Sequence, residues 1–406
     1  SGFTGDLNLP ESVISIENSA FFLCQGLNGQ LHIPSKLTCI NEYAFSDCLN
    51  LHGSLILPES ITAIKANAFQ NCFELSGPLI IPNKVKSIGH GAFCFCVKLN
   101  GSLIIPDSVE NIENNAFVYC SGFNGELKLP SELKLIESYV FRNCSKLSGS
   151  LNIPNSVQII ENYAFYNCIN FNESLIFNDS VEKIGAFCFA NCYGFKNDLK
   201  LPTNLKTIEK HSFENCDGFK SLKIPESLIL ISEFAFSNCS GFEGPLIIPD
   251  QVKFISNSSF YNCYNLNGIL KLSSNLEFIG ESAFHNCKNL IGQLIIPLST
   301  IRIEKKAFCE CSKLNGDLTI PNSIKNICFE TYSNCYSLDG TLTIPSSIES
   351  IDDYAFKGTI FSRIIFLGRN NINCSNLIGF SINSIIFVQK GYSNNHFCSF
   401  NVAIDK

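Results

Sequence analysis

The sequence predicts a repeat protein of the α/β class: a solenoid of about fifteen 24-residue leucine-rich repeats with one parallel β-sheet, followed by two short C-terminal units. Three observations predict it. Cysteine recurs at a fixed spacing, an aromatic residue stands three positions before each of these cysteines, and an Ile-Pro or Leu-Pro pair recurs in the same register in all but two periods.

The cysteine ladder comes first. Cys24, Cys48, Cys72, Cys96, Cys120, Cys144, Cys168, Cys192 and Cys216 are 24 apart, one 23-residue step leads to Cys239, and Cys263, Cys287, Cys311 and Cys335 resume the beat. Phe keeps the same register from Phe21 to Phe308, with Tyr332 substituting once. Each unit then reads as one strand and a return. In Leu103-Ile104-Ile105-Pro106 the outer two apolar residues share a strand face, and the proline ends the strand because it has no N–H to donate. A polar residue follows, as at Asp107, which suits a turn. A second extended stretch carries Val109 and Ile112 inward, and the Ala-Phe segment before the cysteine predicts one helical or 3₁₀ turn. One unit is too small to bury a core alone, so neighbours must stack. The irregular unit Phe219-Lys220-Ser221-Leu222-Lys223-Ile224 fits L-x-x-L-x-L directly. Its neighbours insert a residue, usually Gly as at Gly101, Gly125 and Gly149, which predicts a tight turn at strand entry.

The ladder cysteine is read as lost at Gly358, which sets the division into a repeat region, 1–358, and short terminal units with a cap, 359–406. The two short units are Phe361-Ser362-Arg363-Ile364-Ile365-Phe366 and Ile382-Asn383-Ser384-Ile385-Ile386-Phe387. Ser1-Gly2-Phe3-Thr4-Gly5 matches the segment after a ladder cysteine, such as Ser121 to Gly125. The chain is therefore expected to continue N-terminally. Its first strand, Leu7 to Leu9, would then offer an open edge for edge-to-edge self-association.

With 45% hydrophobic and 16% charged residues, the chain has ample material for a core. A net charge of −7 without a basic face argues against a nucleic-acid binder. No apolar run reaches the roughly 18–20 residues that span a bilayer, and no signal peptide is visible.

The pattern L-x-I-P-x-S-V-x-x-I-x-x-x-A-F-x-x-C, as in Leu151 to Cys168, resembles the BspA-like (Treponema pallidum-type) leucine-rich repeat family. The inserted Gly, giving x-G-x-L-x-I-P, resembles the large BspA-like sets of trichomonad parasites. The resemblance implies a right-handed solenoid with a parallel sheet, display on a cell surface or secretion, and adhesion to host cells or extracellular-matrix proteins. It brings no catalytic residues and no cofactor. Asn178 and Ser273 depart from it where the strand-ending proline should stand.

Other constellations read as structural. The ladder cysteines are expected to be reduced, buried thiols. Cys94-Phe95-Cys96 and Cys309-Glu310-Cys311 lack the spacing of zinc sites, so no metal site is expected. Cys374 and Cys398 lie in the cap, where a bridge is open to them. The six histidines make no sequence cluster, and no nucleophile elbow, P-loop or dinucleotide fingerprint occurs, so no enzyme is expected. Among the glycosylation sequons, Asn143 and Asn238 flank ladder cysteines and are poor acceptors.

The remaining candidate is the residue between the two buried strand positions, which should point out of the sheet. That column includes Ile56, Ile80 and Ile104 in succession, then Lys128, Lys200, Lys223 and Lys271, and finishes with Ile365 and Ile386. The isoleucines would make an apolar strip and the lysines a modest basic band for a protein ligand on a host cell or in its matrix. The alternative is a rigid stalk or coat protein without a specific ligand, since β-branched residues favour strands whatever they face.

Overall fold

The computed structural model describes residues 4–374, 378–381, 383–398 and 400–404. The chain forms two compact units, Ser1–Asn204 and Leu205–Lys406. Ser1, Gly2 and Phe3 of the opening segment, and Ile382 of the second short unit, lie outside the described residues.

In the first unit each full repeat brings two extended stretches into register with its neighbour. Leu103–Ile104 pairs in parallel with Leu127–Lys128, and Leu151–Asn152 with Leu175–Ile176, each residue opposite its counterpart one repeat on. The second extended stretch forms a parallel column of its own: Cys39–Ile40, Ala63–Ile64, Ser87–Ile88 and Asn111–Ile112. The expected strand column, divided in this unit into two- and three-stranded sheets, is thus joined by a second column. This follows because the stretch after each proline turn is anchored in the core at two positions three apart, as at Val109 and Ile112, and its N–H and C=O groups find partners that the neighbouring repeat supplies.

The second unit repeats the plan. Leu246–Ile247 pairs with Leu270–Lys271, while Leu230–Ile231, Phe254–Ile255, Phe278–Ile279 and Arg302–Ile303 make the other column. Leu318–Thr319, Thr341–Ile344, Arg363–Phe366, Ile385–Val388 and Phe400–Ile404 form a parallel sheet that His396–Phe397 closes in antiparallel sense. Cys374 and Cys398, 24 residues apart with Cα atoms 5.2 Å from each other, are joined as a disulfide in this cap.

Among the described residues there is no helix. The Ala-Phe segment is a ladder of turns. Ala44, Ser46 and Cys48 donate their N–H groups three residues back, to Asn41, Tyr43 and Phe45, at 3.2–3.3 Å. Tyr43, Phe45 and Asp47, the residues between, donate to Ala66, Ala68 and Gln70 of the next repeat at 2.8–3.0 Å. Tyr43 and Asp47 sit at φ +54° and +60°. A left-handed residue every fourth position stops a right-handed helix and turns alternate N–H groups sideways.

The core follows the columns read from the sequence. Leu103, Ile105, Val109, Ile112, Phe117 and Cys120 are all buried. Phe rings stack one per repeat, with centroids 5.3–5.7 Å apart from Phe21 to Phe189 in the first unit. From Phe213 to Phe380 in the second unit the separations are 5.2–5.7 Å. The ladder cysteines from Cys48 to Cys192 and from Cys239 to Cys335 donate their S–H to the carbonyl of the preceding repeat's Phe at 3.0–3.1 Å. The inserted glycine is needed where expected: Gly101 has φ +79°, and a Cβ on Gly125 would meet the Ser102 nitrogen at 2.8 Å. At the missing prolines, Asn178 donates its amide to the Pro154 carbonyl and Ser273 its hydroxyl to the Asp250 carbonyl, so side chains tie the turn that proline otherwise fixes.

Two register readings change. The ladder position after Cys335 is Thr359, not Gly358: Thr359 is buried and donates Oγ1 to the Phe356 carbonyl at 2.8 Å, while Gly358 takes the left-handed site one before it. In the last short unit Ile364 pairs with Ile386 and Ile365 with Phe387, so Ile386 is buried and Ile385 exposed. A one-residue slip exchanges the two faces of a strand.

Candidate interaction face

In the outward column buried and exposed residues alternate; Ile104 lies in the strand Leu103–Ile104, while Ile56 and Ile80 stand just after the strands Gly53–Ser54 and Leu75–Pro78. Ile56, Ile80 and Ile104 are 73%, 69% and 44% exposed, while Leu55, Leu57, Leu79, Ile81, Leu103 and Ile105 on either side of them are buried. They occupy the same position in three successive repeats. Ile104 lies opposite Lys128 in register. With Asn152, Pro154, Glu126 and Glu173 these two line a shallow depression of about 570 Å³. The structure therefore brings Ile104 and Lys128 together.

The lysines behave less as a band. Lys128 and Lys200 are exposed in the first unit, Lys223 and Lys271 in the second, and Asn152 and Ile176 intervene between the first pair. Acids answer two of them. Asp107 is held below the usual carboxylate range by hydrogen bonds from Ser131, the N–H at 2.8 Å, and then by the charge of Lys128. Asp250 is lowered in the same way by Ser274, with its N–H at 2.9 Å, and by Lys271. The face is therefore more apolar than basic.

A second apolar group was not read from the sequence. Ile269 and Ile291 are bridged in parallel and exposed, and Ile295 and Leu298 follow in the same unit, Leu298 at 84% exposure. Leu298 was legible: it stands alone in a turn column otherwise filled by residues such as Asp107, Ser131, Asp250 and Asn322. Away from this face, Arg142 lies over the rings of Tyr139, Tyr163 and Tyr166 at 5.4–5.6 Å, a cation–π cluster that braces successive repeats.

The ladder thiols are buried in the stack. Burial pushes the thiols of Cys48, Cys192 and Cys287 up to about 12, and those of Cys72, Cys120 and Cys263 further. Asn143 is buried, and the part-buried Asn238 donates its amide to Asn215 at 2.9 Å. No helix among the described residues is long and apolar enough to cross a membrane.

The family model of BspA-type leucine-rich repeat regions matches residues 4–124, 124–243, 195–315, 244–363 and 315–397. Among solved structures, a leucine-rich repeat protein from Bacteroides ovatus is 27% identical, with a TM-score of 0.70 over 84% of this chain and 87% of that one. A leucine-rich cell surface protein from Faecalibacterium prausnitzii is 22% identical, with a TM-score of 0.43 over 84% and 86%. The leucine-rich repeat protein of T. pallidum is 24% identical, with a TM-score of 0.34 over 47% and 78%. None of the curated proteins compared matches the chain.

Proposed function

This chain belongs to the BspA-type leucine-rich repeat family, and on that premise we propose that it is a non-enzymatic, surface-displayed solenoid that binds a protein on a host cell or in the extracellular matrix. The observation that carries the reading is the apolar strip Ile56, Ile80 and Ile104 on three successive repeats, with Lys128 at its border. Three isoleucines held outward on a stacked scaffold offer contiguous apolar surface, which soluble proteins rarely leave open without a contact to make. The scaffold beneath is rigid because side-chain and backbone ladders tie each repeat to the next, so little ordering entropy opposes association.

The test is capture of host matrix and cell-surface proteins by the immobilised chain and by two variants. Ile80→Asp places a charge in the strip without touching the core and should reduce capture at least about tenfold, the effect of losing roughly 1.4 kcal/mol. Glu182→Lys, on the other column, should leave capture unchanged. Equal capture by the wild type and Ile80→Asp, both folded by circular dichroism, would dismiss the strip and favour a stalk without a specific ligand.

A further inference from the structure

The residues two and one before each ladder cysteine make columns of their own. In successive repeats the first of these carries His285 and Cys309. The second carries Asn238, Asn262 and Asn286, and then Glu310. The ligand atoms of His285, Cys309 and Glu310 all lie within 4.8 Å of one another, the one such grouping of histidine, cysteine and carboxylate among the described residues. Glu310 holds φ +63°, a left-handed position that asparagine tolerates better, so the backbone gives no reason for a glutamate there. His285 Nδ1 is buried with no hydrogen-bond partner, leaving the imidazole an unused position. Tyr261 stacks on the ring with centroids 5.2 Å apart and fixes its plane.

We propose that His285, Cys309 and Glu310 form a binding site for a borderline-soft divalent cation, with zinc the best fit, that pins two successive repeats together. A nitrogen, a sulfur and a carboxylate oxygen suit zinc, whereas calcium and magnesium take all-oxygen sets. Zinc bonds of about 2.0–2.3 Å place tetrahedral donors about 3.5 Å apart, so the set closes by roughly an ångström through rotation of the exposed Glu310 side chain. The fourth position is left to water. Zinc takes the neutral imidazole through a ring nitrogen lone pair. Cys309 binds as the thiolate, and the cation displaces its proton to solvent as the metal–sulfur bond forms. Of the neighbouring charges, Glu330 adds a carboxylate, and Lys306 is occupied by Glu330 at 3.4 Å and by the Phe329 ring. The spacing rule set this site aside because His285 and Cys309 are 24 residues apart, but one repeat of stacking makes them neighbours.

Cys94 provides an internal control: it occupies the same column and is buried, but Gln70 and Val118 flank it where Cys309 has His285 and Ser333. The experiment titrates the full chain, held reduced by a non-coordinating phosphine, with zinc by calorimetry and with cobalt(II) by absorption. One equivalent should bind with a thiolate-to-cobalt charge-transfer band and with proton release, so that affinity rises with pH. Cys309→Ser should lose the band and weaken zinc binding by about tenfold or more, His285→Ala should weaken it comparably, and Cys94→Ser should match the wild type. Circular dichroism verifies that each variant is folded. A wild-type chain that binds no zinc overturns the proposal, as does Cys309→Ser with band and affinity intact, or Cys94→Ser with the same loss as Cys309→Ser.

Discussion

A thiol suits the ladder position for two reasons. It fills the small space inside the stack, and it still has one weak donor to offer. The Phe45 carbonyl accepts the Cys48 N–H at 3.3 Å and the Cys72 S–H at 3.1 Å, so a carbonyl turned into the core gains a second partner. Alanine would leave that lone pair unanswered; where the ladder ends, Thr359 supplies a hydroxyl instead. The buried thiols also set an alkaline limit. An unfolded thiol loses its proton at about 8.5, while burial holds Cys192 and Cys287 at about 12. Below about pH 8.5 both states keep their protons and the ladder's contribution is whole; above it the unfolded chain sheds protons that the native chain retains, and stability falls toward pH 12. The urea midpoint should therefore drop markedly between about pH 7.5 and pH 10, and alkylation in the native state at the lower pH should be negligible. An unchanged midpoint would place the ladder thiols in solvent.

At the scale of the element, the turn ladder departs most from the sequence reading. An Ala-Phe pair before a cysteine fits a helical turn by composition, and composition does not show that the residue before each cysteine is left-handed. The signal was present in the Asn-Cys pairs at Asn143, Asn167, Asn238, Asn262 and Asn286, since asparagine tolerates positive φ better than other non-glycine residues. In the second unit these amides are linked in series, Asn286 donating to Asn262, Asn262 to Asn238 and Asn238 to Asn215, each at 2.9 Å. Asn262→Ala should cost roughly 3–4 kcal/mol, from about 1–2 for the left-handed alanine and about 1 for each of the two amide bonds lost. Asn262→Gly should cost less, because glycine accepts φ +60° freely. Chemical denaturation of the two variants gives the order; a glycine variant no more stable than the alanine variant would mean that the backbone angle contributes nothing. By contrast the proline and Phe columns were legible, and the strand column was legible up to the slip at Ile386, because a buried column repeats its residue type while a turn repeats only its backbone angle.

For the molecule as a whole, the 24-residue period carried the fold because stacking converts sequence spacing into adjacency. It carried the proposed interaction face less completely. Ile56, Ile80 and Ile104 followed from strand alternation, but the acids that answer Lys128 and Lys271 come from neighbouring turns, so the basic band could not be weighed from its own column. The zinc donors were likewise hidden, since no single repeat contains both His285 and Cys309. The central claim is that one outward column meets the partner, and lysine acetylation read by mass spectrometry addresses it most directly. The chain is labelled alone and again when saturated with host matrix protein. Lys128, opposite Ile104, should be protected several-fold, while Lys183, paired with Glu161 at 3.1 Å on the other column, should label equally in both samples. Protection of Lys183 with Lys128 still fully labelled would contradict the account.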